Sequence, residues 1–347
     1  PDTGGGVTVG TVTAQLLYEI GGPAYLGPDV IARFDTISLN EIAPDRIAVN
    51  GVRGERPPST LKVSMNSWGG YRSDLRVALV GRDIEAKAAL AESVLWRSTP
   101  YNREDFDAVS ISIDRTDKAD PASNAEATAT WRATVKDRDE RKARSVGSAM
   151  NNMALASIPG FFGLPGTQIA QPFGVHTSGL VAADLVPQRV TILGGATTVV
   201  EAAIDPADQA GADTPAIEPP AVRAPNSIDG SSVSAPLGTI IGARSGDKGG
   251  NANLGLFART AAAYGWLADE LSTDRLRELL PETADLRIDR YELPNIWSLN
   301  FVIHGLLQEG VAASTRLDGQ GKSLGEWVRA RVVDLPSFLV ADRTDRP

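Results

Sequence analysis

One stretch of the sequence divides the chain into two parts. It runs from residue 201 to residue 235 and reads EAAIDPADQAGADTPAIEPPAVRAPNSIDGSSVSA. Ala, Pro, Asp and Ser dominate it, and large apolar residues are few, so it cannot bury a core of its own. We therefore predict a linker, partly or wholly disordered, between a domain at residues 1–200 and a second domain at residues 236–341.

The composition excludes several classes of function. The 347 residues include 34 Lys and Arg against 43 Asp and Glu, a net charge of −9, which disfavours binding to nucleic acid or an anionic membrane. The chain has no Cys, which excludes thiolate chemistry, and its two His are too few for a His cluster around a metal. We predict no metal and no cofactor. No apolar run is long enough to span a bilayer and nothing resembles a signal peptide, so we expect a cytoplasmic protein.

The first part alternates helical and extended patterns, which predicts an α/β core domain. Helical spacing predicts a helix in residues 7–20 and another after Asp83, which we interpret as its N-cap. A third helix is predicted across about residues 125–158, either continuous or broken into two. The predicted strands are a hairpin in RFDTISLNEIAPDRIAVNGVRG, followed by STLKVSMNS, LRVALVG and FDAVSISID. The later stretch PGFFGLPGTQIAQPFGVH carries three Pro and is predicted to be irregular.

The order of strand and helix patterns in the second part predicts an α+β domain of ferredoxin-like type, with one sheet and helices on one face. The predicted strands are LGTIIGA, ADLRIDRYELP, LNFVIHGLL and GVAASTRLD. Helices are predicted in NLGLFARTAAAYGWLADEL and in KSLGEWVRARVVDLP. For the latter segment, the alternative is a helix that is followed by a strand.

The stretch ARSGDKGGNANLG, at residues 243–255, is the main candidate for a binding site. It lies between a predicted strand and a predicted helix, so its glycines would let a phosphate or carboxylate approach the N–H groups at a helix N-terminus. Lys248 would add a positive charge, and Asn253 is placed to cap the helix. The candidate ligand-binding residues are Ser245, Gly246, Lys248, Gly249, Gly250, Asn251 and Asn253.

An alternative interpretation of this stretch is structural. Loops of Asp, Asn and Gly often only close a tight turn, with the side chains bonded to their own backbone. The stretch fits neither the P-loop pattern nor GxGxxG. A second Gly-rich entry to a helix, TGGGVTVGT, adds Thr3, Gly4 and Gly5 as ligand-binding candidates, and a simple strand–helix turn is its alternative.

Three residues are candidates for proton transfer. His304 lies in the apolar segment LNFVIHG, Glu292 precedes it in RYELP, and Asp247 belongs to the Gly-rich stretch. The alternatives are a core histidine with one hydrogen bond, a strand end at Glu292, and a loop brace at Asp247. No Ser-His-Asp order, carboxylate pair or metal-ligand spacing is present.

Several long motifs resemble the acyclic terpene utilisation (AtuA-like) family. The segments that resemble its core domain are TGGGVTVGTVTAQLLYEIGGPAYLGPDVIARFD, VNGVRG, LKVSMNSWGGYR and ALASIPGFFG. Those that resemble its ferredoxin-fold domain are ARSGDKGGNANLGLFAR, RYELPNIWSLNFVIHGLL and KSLGEWVRARVVDLP. Members of the family usually carry a large α/β portion before the TGG segment, so the resemblance is to the C-terminal part of the core domain. It implies that this chain is truncated, processed or one half of a split protein, with a partner chain supplying the missing N-terminal part.

The resemblance implies a pathway rather than a reaction. The family is associated with catabolism of acyclic terpenes such as citronellol and geraniol and with the breakdown of branched acyl-CoA, including biotin-dependent carboxylation. We therefore expect a protein that acts on an acyl-CoA thioester of a terpenoid or branched acid without redox chemistry. The alternative is a non-catalytic assembly or binding subunit of an acyl-CoA-processing complex. A homo-oligomer is expected because ferredoxin-like sheets leave edges that can pair.

The predicted linker is directly testable by limited proteolysis. We expect the first cuts between Glu201 and Ala235, because a segment without a core is accessible to proteases. Fragments identified by mass spectrometry should then end within this range. First cuts inside residues 1–200 or 236–341 would refute the proposed boundary.

Overall fold

The structure is a computed structural model that describes residues 4–156, 158–200 and 230–341. The chain forms two compact units. One contains Asn66–His176, and the other combines Pro1–Met65 with Thr177–Pro347. The latter, which we call the larger unit, therefore contains residues from both predicted domains. The domain boundaries predicted at residues 200 and 236 stay a prediction. Most of the predicted linker lies outside the described residues, but its last four residues, 232–235, belong to a strand.

Seven α-helices lie in the described part of the chain. Local capping explains where several of them start: Thr8 and Thr11 form a capping box for the first, and Thr260 and Ser272 cap the fourth and fifth. The predicted helix after Asp83 is confirmed, although Asp83 has a φ of +60° and its side chain makes no capping bond. The helices are α1 (Val9–Leu16), α2 (Ile84–Arg97), α3 (Glu140–Leu155), α4 (Ala261–Glu270), α5 (Thr273–Leu279), α6 (Leu324–Ala330) and α7 (Ser337–Ala341).

The strands of the described residues form six sheets. In chain order they are β1 (Ala24–Leu26), β2 (Ile31–Arg33), β3 (Ser38–Ala43), β4 (Arg46–Asn50), β5 (Arg53–Glu55), β6 (Thr60–Val80), β7 (Ala108–Asp114), β8 (Thr128–Asp137), β9 (Phe161–Gly163), β10 (Gln168–Ala182), β11 (Gln188–Thr191), β12 (Thr197–Val200), β13 (Ser232–Pro236), β14 (Ile241–Lys248), β15 (Asn251–Ala258), β16 (Ile288–Leu293), β17 (Ser298–Ile303) and β18 (Val332–Pro336).

The Asn66–His176 unit packs two helices on one face of a sheet. The strands run in the order β10-β6-β8-β7, and β9 also pairs with β6. Pairs β6–β8, β7–β8 and β6–β9 are antiparallel, so this unit mixes helix with antiparallel sheet, and the predicted α/β core is not confirmed. Leu79 of β6, Leu95 of α2 and Met153 of α3 are fully buried around Trp131. Each such aliphatic side chain stabilises the fold by about 1.5–3 kcal/mol.

Three predictions for this region are wrong. The strands predicted on either side of WGGYRSD are one continuous strand, β6. The helix predicted from about residue 125 is the strand β8 followed by α3. Asp139 is the N-cap of α3, because its side chain accepts a hydrogen bond from the backbone N–H of Arg141. The stretch predicted to be irregular contains β9 and β10. Strand pairing overrode local turn signals in β6, β9 and β10, and it overrode the predicted helix in β8.

A four-stranded antiparallel sheet, β14-β15-β17-β16, organises the larger unit. Alternation along β15 places its even-numbered residues, such as Leu254 and Leu256, in a core with Leu267 of α4 and Val328 of α6. The odd-numbered residues point to the opposite face. Because α4 and α6 both pack on the face of the even-numbered residues, this arrangement agrees with the predicted ferredoxin-like domain.

Two further predictions for this sheet need correction. The helix predicted to begin at Asn253 begins at Ala261, because NLGLFA belongs to β15, one of the two central strands, which is buried on both faces. A short apolar run of this kind fits a buried strand as well as a helix. The segment GVAASTRLD, predicted to be a strand, consists of turns and loop.

The helix α1 and the four residues that follow it, together called the α1 segment (residues 9–20), lie on the face of the sheet to which the odd-numbered residues of β15 point. α1 contacts β14 and β15, and Leu17 and Ile20 form a small core with Ile37 and Leu293. A Cβ added to Gly255 would lie 2.5 Å from Cβ of Leu17. Only glycine therefore allows the backbone to approach the strand this closely.

We predict that Gly255→Ala destabilises the protein by about 1–3 kcal/mol, because the new methyl group overlaps the buried Leu17. Urea unfolding followed by circular dichroism measures the change. Gly21→Ala is the matched control, since no atom lies within 4 Å of its added Cβ. Equal urea midpoints for the two variants would contradict the close approach.

Candidate functional site

The Gly-rich stretch is a hairpin rather than a strand–helix loop. Lys248 of β14 pairs with Asn251 of β15, and Gly249 and Gly250 form the two-residue turn between them. Gly249 has a φ of +67°, and a Cβ on Gly250 would lie 2.3 Å from the carbonyl oxygen of Gln308. Glycine is needed at position 249 for the positive φ of the turn and at position 250 for the close approach of Gln308. The prediction that this stretch presents a helix N-terminus to an anion is therefore wrong.

Three of the predicted ligand-binding side chains are used inside the fold. Ser245 is buried; its hydroxyl donates to the carbonyl oxygen of Lys322 at 3.2 Å and accepts from the N–H of Gly325 at 3.0 Å. Oδ1 of Asn251 accepts from the N–H of Gly305 at 3.0 Å. Asn253 caps no helix, and its role is described next.

Asn253 and Asn300 form a buried amide pair beneath the α1 segment. Both side chains are fully buried, and Nδ2 of Asn253 donates to Oδ1 of Asn300. Oδ1 of Asn253 accepts from the backbone N–H of Glu19 at 2.7 Å. Glu19 has a φ of +57°, a left-handed conformation that non-glycine residues rarely adopt. The Asn253 side chain thus satisfies and fixes the backbone at the end of the α1 segment.

The fixed backbone directs Tyr18 and Glu19 onto β14. A Cβ added to Gly246 would lie 2.7 Å from Cγ and Oε1 of Glu19 and 3.0 Å from Cε2 of Tyr18. Gly246, a predicted ligand-binding residue, therefore provides room for these two side chains.

Charged groups gather around these two side chains. Nζ of Lys322 contacts the Tyr18 hydroxyl and the Glu19 carboxylate and lies 3.4 Å from Oδ1 of Asp247. The Arg244 guanidinium and the Lys322 ammonium lie 4.3 Å and 4.6 Å from the centre of the Tyr18 ring, within the range of cation–π attraction. We call this set the Lys322 cluster; it comprises Tyr18, Glu19, Arg244, Asp247, Lys248 and Lys322.

The cluster changes the acidity of its members. Burial raises the pKa of Glu19, but hydrogen bonds with Lys322 and Tyr18 and the charges of Lys322 and Lys248 hold it below its ordinary value of 4.5. Burial also lowers the pKa of Lys322, yet its bonds to Glu19 and Tyr18 raise it above 10.5. Glu19 and Lys322 are therefore both charged across the neutral range.

Lys248 differs from Lys322. Burial and the nearby charge of Lys62 lower the pKa of Lys248, and they outweigh the charges of Glu19 and Asp247. Among the described residues, Lys248 has no carboxylate within ion-pair distance. With Lys62 included, four cations face two carboxylates here. An acidic protein of net charge −9 thus carries a local positive excess at this point.

The three predicted catalytic residues do not come together. Asp247 joins the Lys322 cluster. Nε2 of His304 lies 2.8 Å from Oδ2 of Asp289, near the start of β16. The backbone N–H of His304 donates to the carbonyl oxygen of Arg287 next to it. Glu292 lies near the other end of β16 and pairs with Arg290 at 2.6 Å. Catalytic roles for these residues stay predictions.

The second Gly-rich entry precedes α1. Gly4 and Gly5 are exposed, and Thr3 lies outside the described residues. The backbone N–H of Val7 donates to Oδ1 of Asp45 at 2.7 Å, and Thr8 and Thr11 cap the helix reciprocally. Ligand binding by Thr3, Gly4 and Gly5 stays a prediction.

The sequence reasoning missed Tyr18, Glu19, Arg244 and Lys322. Tyr18 and Lys322 are 304 positions apart, so no local spacing connects them. The one available signal was the presence of Tyr18 and Glu19 in the LLYEI motif used for the family resemblance.

Other classes of site find no support in the part of the chain that the structure describes. Those residues contain no group of three or more His, Asp or Glu side chains that could hold a metal ion. Within the same ranges, no helix is long and apolar enough to cross a membrane.

We predict that Glu19→Gln lowers the free energy of unfolding by about 0.5–1 kcal/mol near pH 7, the range for partly exposed ion pairs. Because the folded pKa of Glu19 is depressed, its contribution is present above 4.5 and is lost as the pH falls through the folded pKa. Urea unfolding of both proteins between about pH 7 and pH 3 should show the difference shrinking. Glu41→Gln, at an exposed residue of the same unit, is the control. A difference that stays constant with pH would contradict the assignment.

Comparison with known proteins identifies the family. A family model described as acyclic terpene utilisation family protein AtuA matches residues 1–192, and a model described as the AtuA ferredoxin-like domain matches residues 235–334. No curated protein and no solved structure matches significantly. The first match covers 192 of the 347 residues. The chain therefore belongs to the acyclic terpene utilisation family AtuA, whose name implies a role in the use of acyclic terpenes, and it includes the ferredoxin-like domain of that family.

Proposed function

We propose that this protein serves acyclic terpene utilisation by binding an acyl-CoA thioester of a terpenoid or branched acid at the Lys322 cluster. The observation that carries the proposal is the positive excess at Lys248. This half-buried ammonium lacks a carboxylate partner among the described residues and feels a second cation, Lys62. A buried or crowded cation of this kind is stabilised when an anion binds beside it.

Coenzyme A fits the charge of the site. Its phosphate groups are dianionic or monoanionic, and Lys and Arg are the side chains that bind phosphate most often. Arg244, Gly246 and Lys248 follow one another at alternate positions of β14 and so lie on one face of the strand. Arg244 is exposed and Lys248 half-buried, so both remain open to a ligand from solvent.

The same cluster contains groups that can move a proton. Lys322 donates to the Tyr18 hydroxyl and lies beside the Asp247 carboxylate. Either the hydroxyl oxygen of Tyr18 or a carboxylate oxygen of Asp247 would exchange a proton with a bound thioester. No redox cofactor is required for such a transfer. We propose Asp247 and Tyr18 for this role. His304 and Glu292 are the weaker candidates, because His304 is hydrogen-bonded to Asp289 and Glu292 is paired with Arg290, both outside the cluster.

Calorimetric titration tests the proposal directly. The wild-type chain should bind coenzyme A and a branched acyl-CoA, and Lys248→Gln should weaken binding about tenfold, which corresponds to one charge-assisted contact. Arg244→Gln should have a similar effect. Raising the salt concentration should weaken wild-type binding and affect Lys248→Gln less.

The matched control is Lys118→Gln. Lys118 lies in the other unit and pairs with Glu126 at 2.7 Å, so its loss should leave the affinity unchanged. Absence of binding, or equal affinity of Lys248→Gln and wild type, would contradict the proposal. The assembly-subunit alternative would then be favoured, with co-purification of a partner chain as its test.

A further inference from the structure

The seven lysines of this chain differ in how their ammonium groups are held. All seven lie within the described residues. Five of them contact a carboxylate, a carbonyl oxygen or an aromatic ring, namely Lys87, Lys118, Lys136, Lys142 and Lys322. For Lys62 and Lys248, no hydrogen bond or ion pair links the side chain to any other described residue. These two ammonium groups therefore depend on solvent for their stabilisation.

Lys248 is less well solvated than Lys62. Lys62 is exposed, whereas Lys248 is half-buried at the end of β14, directly before the turn at Gly249 and Gly250. Partial burial removes water from an ammonium group, and without a hydrogen-bond acceptor nothing in the protein replaces that water. The geometry therefore favours the uncharged amine at Lys248, while part of the side chain stays accessible to a reagent in solution.

The neighbouring charges act in the same direction. Burial, and after it the charge of Lys62, lowers the pKa of Lys248 from the ordinary value of 10.5. The carboxylates of Glu19 and Asp247 oppose this change, but both also face Lys322, which contacts Glu19 and lies 3.4 Å from Asp247. Lys248 therefore loses its proton more readily than an ordinary lysine.

Lys322 is the opposite case within the same cluster. Its ammonium group bonds to the Tyr18 hydroxyl and the Glu19 carboxylate, and these bonds raise its pKa above 10.5. An amine attacks an electrophile only when it is uncharged. Of the two lysines in the Lys322 cluster, Lys248 is therefore the nucleophile, and Lys322 stays a fixed cation.

We propose that Lys248 is the principal site at which an acyl phosphate acylates this chain. The uncharged Nζ attacks the carbonyl carbon, and the bond between that carbon and the phosphate oxygen breaks. An amide forms, inorganic phosphate leaves, and the surplus proton on the nitrogen passes to water. The donor is an anion, so Lys62 and Arg244, both exposed, attract it to this point.

Acylation would also regulate the proposed anion site. The amide carries no charge, so the local positive excess falls by one. This consequence rests on the proposed function, and it predicts that the acylated chain binds coenzyme A about tenfold more weakly, as Lys248→Gln should. The acylation itself requires no coenzyme A.

Peptide mass spectrometry of the full chain after treatment with acetyl phosphate tests the proposal. The reaction is followed at about pH 8, without coenzyme A, and the acetylated fraction of each lysine is measured against time. Lys248 should be acetylated at least about tenfold faster than Lys322, because the bonds of Lys322 hold its proton. Lys62, the exposed lysine without a partner in the described ranges, is the matched control and should react more slowly than Lys248.

The variant Lys62→Gln tests the cause of the reactivity. Without the charge of Lys62, Lys248 holds its proton more tightly, so its acetylation should slow severalfold. Lys87→Gln is the control, since Lys87 lies in the other unit and donates to the carbonyl oxygen of Val80. The rate at Lys248 should be unchanged in that variant.

Two results would overturn the proposal. The first is a Lys248 that is acetylated no faster than Lys322. The second is a rate at Lys248 that is the same in the wild type, Lys62→Gln and Lys87→Gln, which would show that its surroundings do not activate it. Both are measured without coenzyme A, so they decide this inference whether or not coenzyme A binds to the chain.

Discussion

The close approach of the α1 segment to the sheet determines the candidate site. Leu17 and Glu19 lie so near to Gly255 and Gly246 that no side chain fits between the two layers. The backbone N–H of Glu19, a half-buried residue, donates to Oδ1 of the fully buried Asn253 side chain at 2.7 Å. Leaving the buried amide oxygen of Asn253 unpaired would cost about 1–3 kcal/mol, so this bond stabilises the close approach.

The polar cluster is a consequence of that approach. Tyr18 and Glu19 emerge from the end of the α1 segment above β14 and bring a phenol and a carboxylate to Lys322 and Asp247. Two of the cations, Arg244 and Lys248, face the same segment and have no carboxylate partner in the described ranges. The site therefore combines an internally paired half with a half that is open to an anion. The family name implies a role in acyclic terpene utilisation, and we propose that this arrangement serves that role.

Local patterns predicted the elements that depend on local chemistry. The β3–β4 hairpin around Pro44 and Asp45 and the helix α2 were predicted because turn residues and helix formers act over a few positions. β15 was not, since an apolar run of this length fits a buried strand or a helix equally well. Lys248 and Asp247 were identified as candidates, but Tyr18, Glu19 and Lys322 were not, because tertiary packing alone brings them together.

Hydrogen exchange at the amide of Glu19 tests the central claim most directly. In the wild type this amide should exchange slowly, at a rate near that of amides in β15, because it is bonded to a fully buried side chain. In Asn253→Ala it should exchange much faster while the amides of β17 stay protected. A wild-type Glu19 amide that exchanges as fast as an unstructured peptide would contradict the docking of the α1 segment and the cluster built on it.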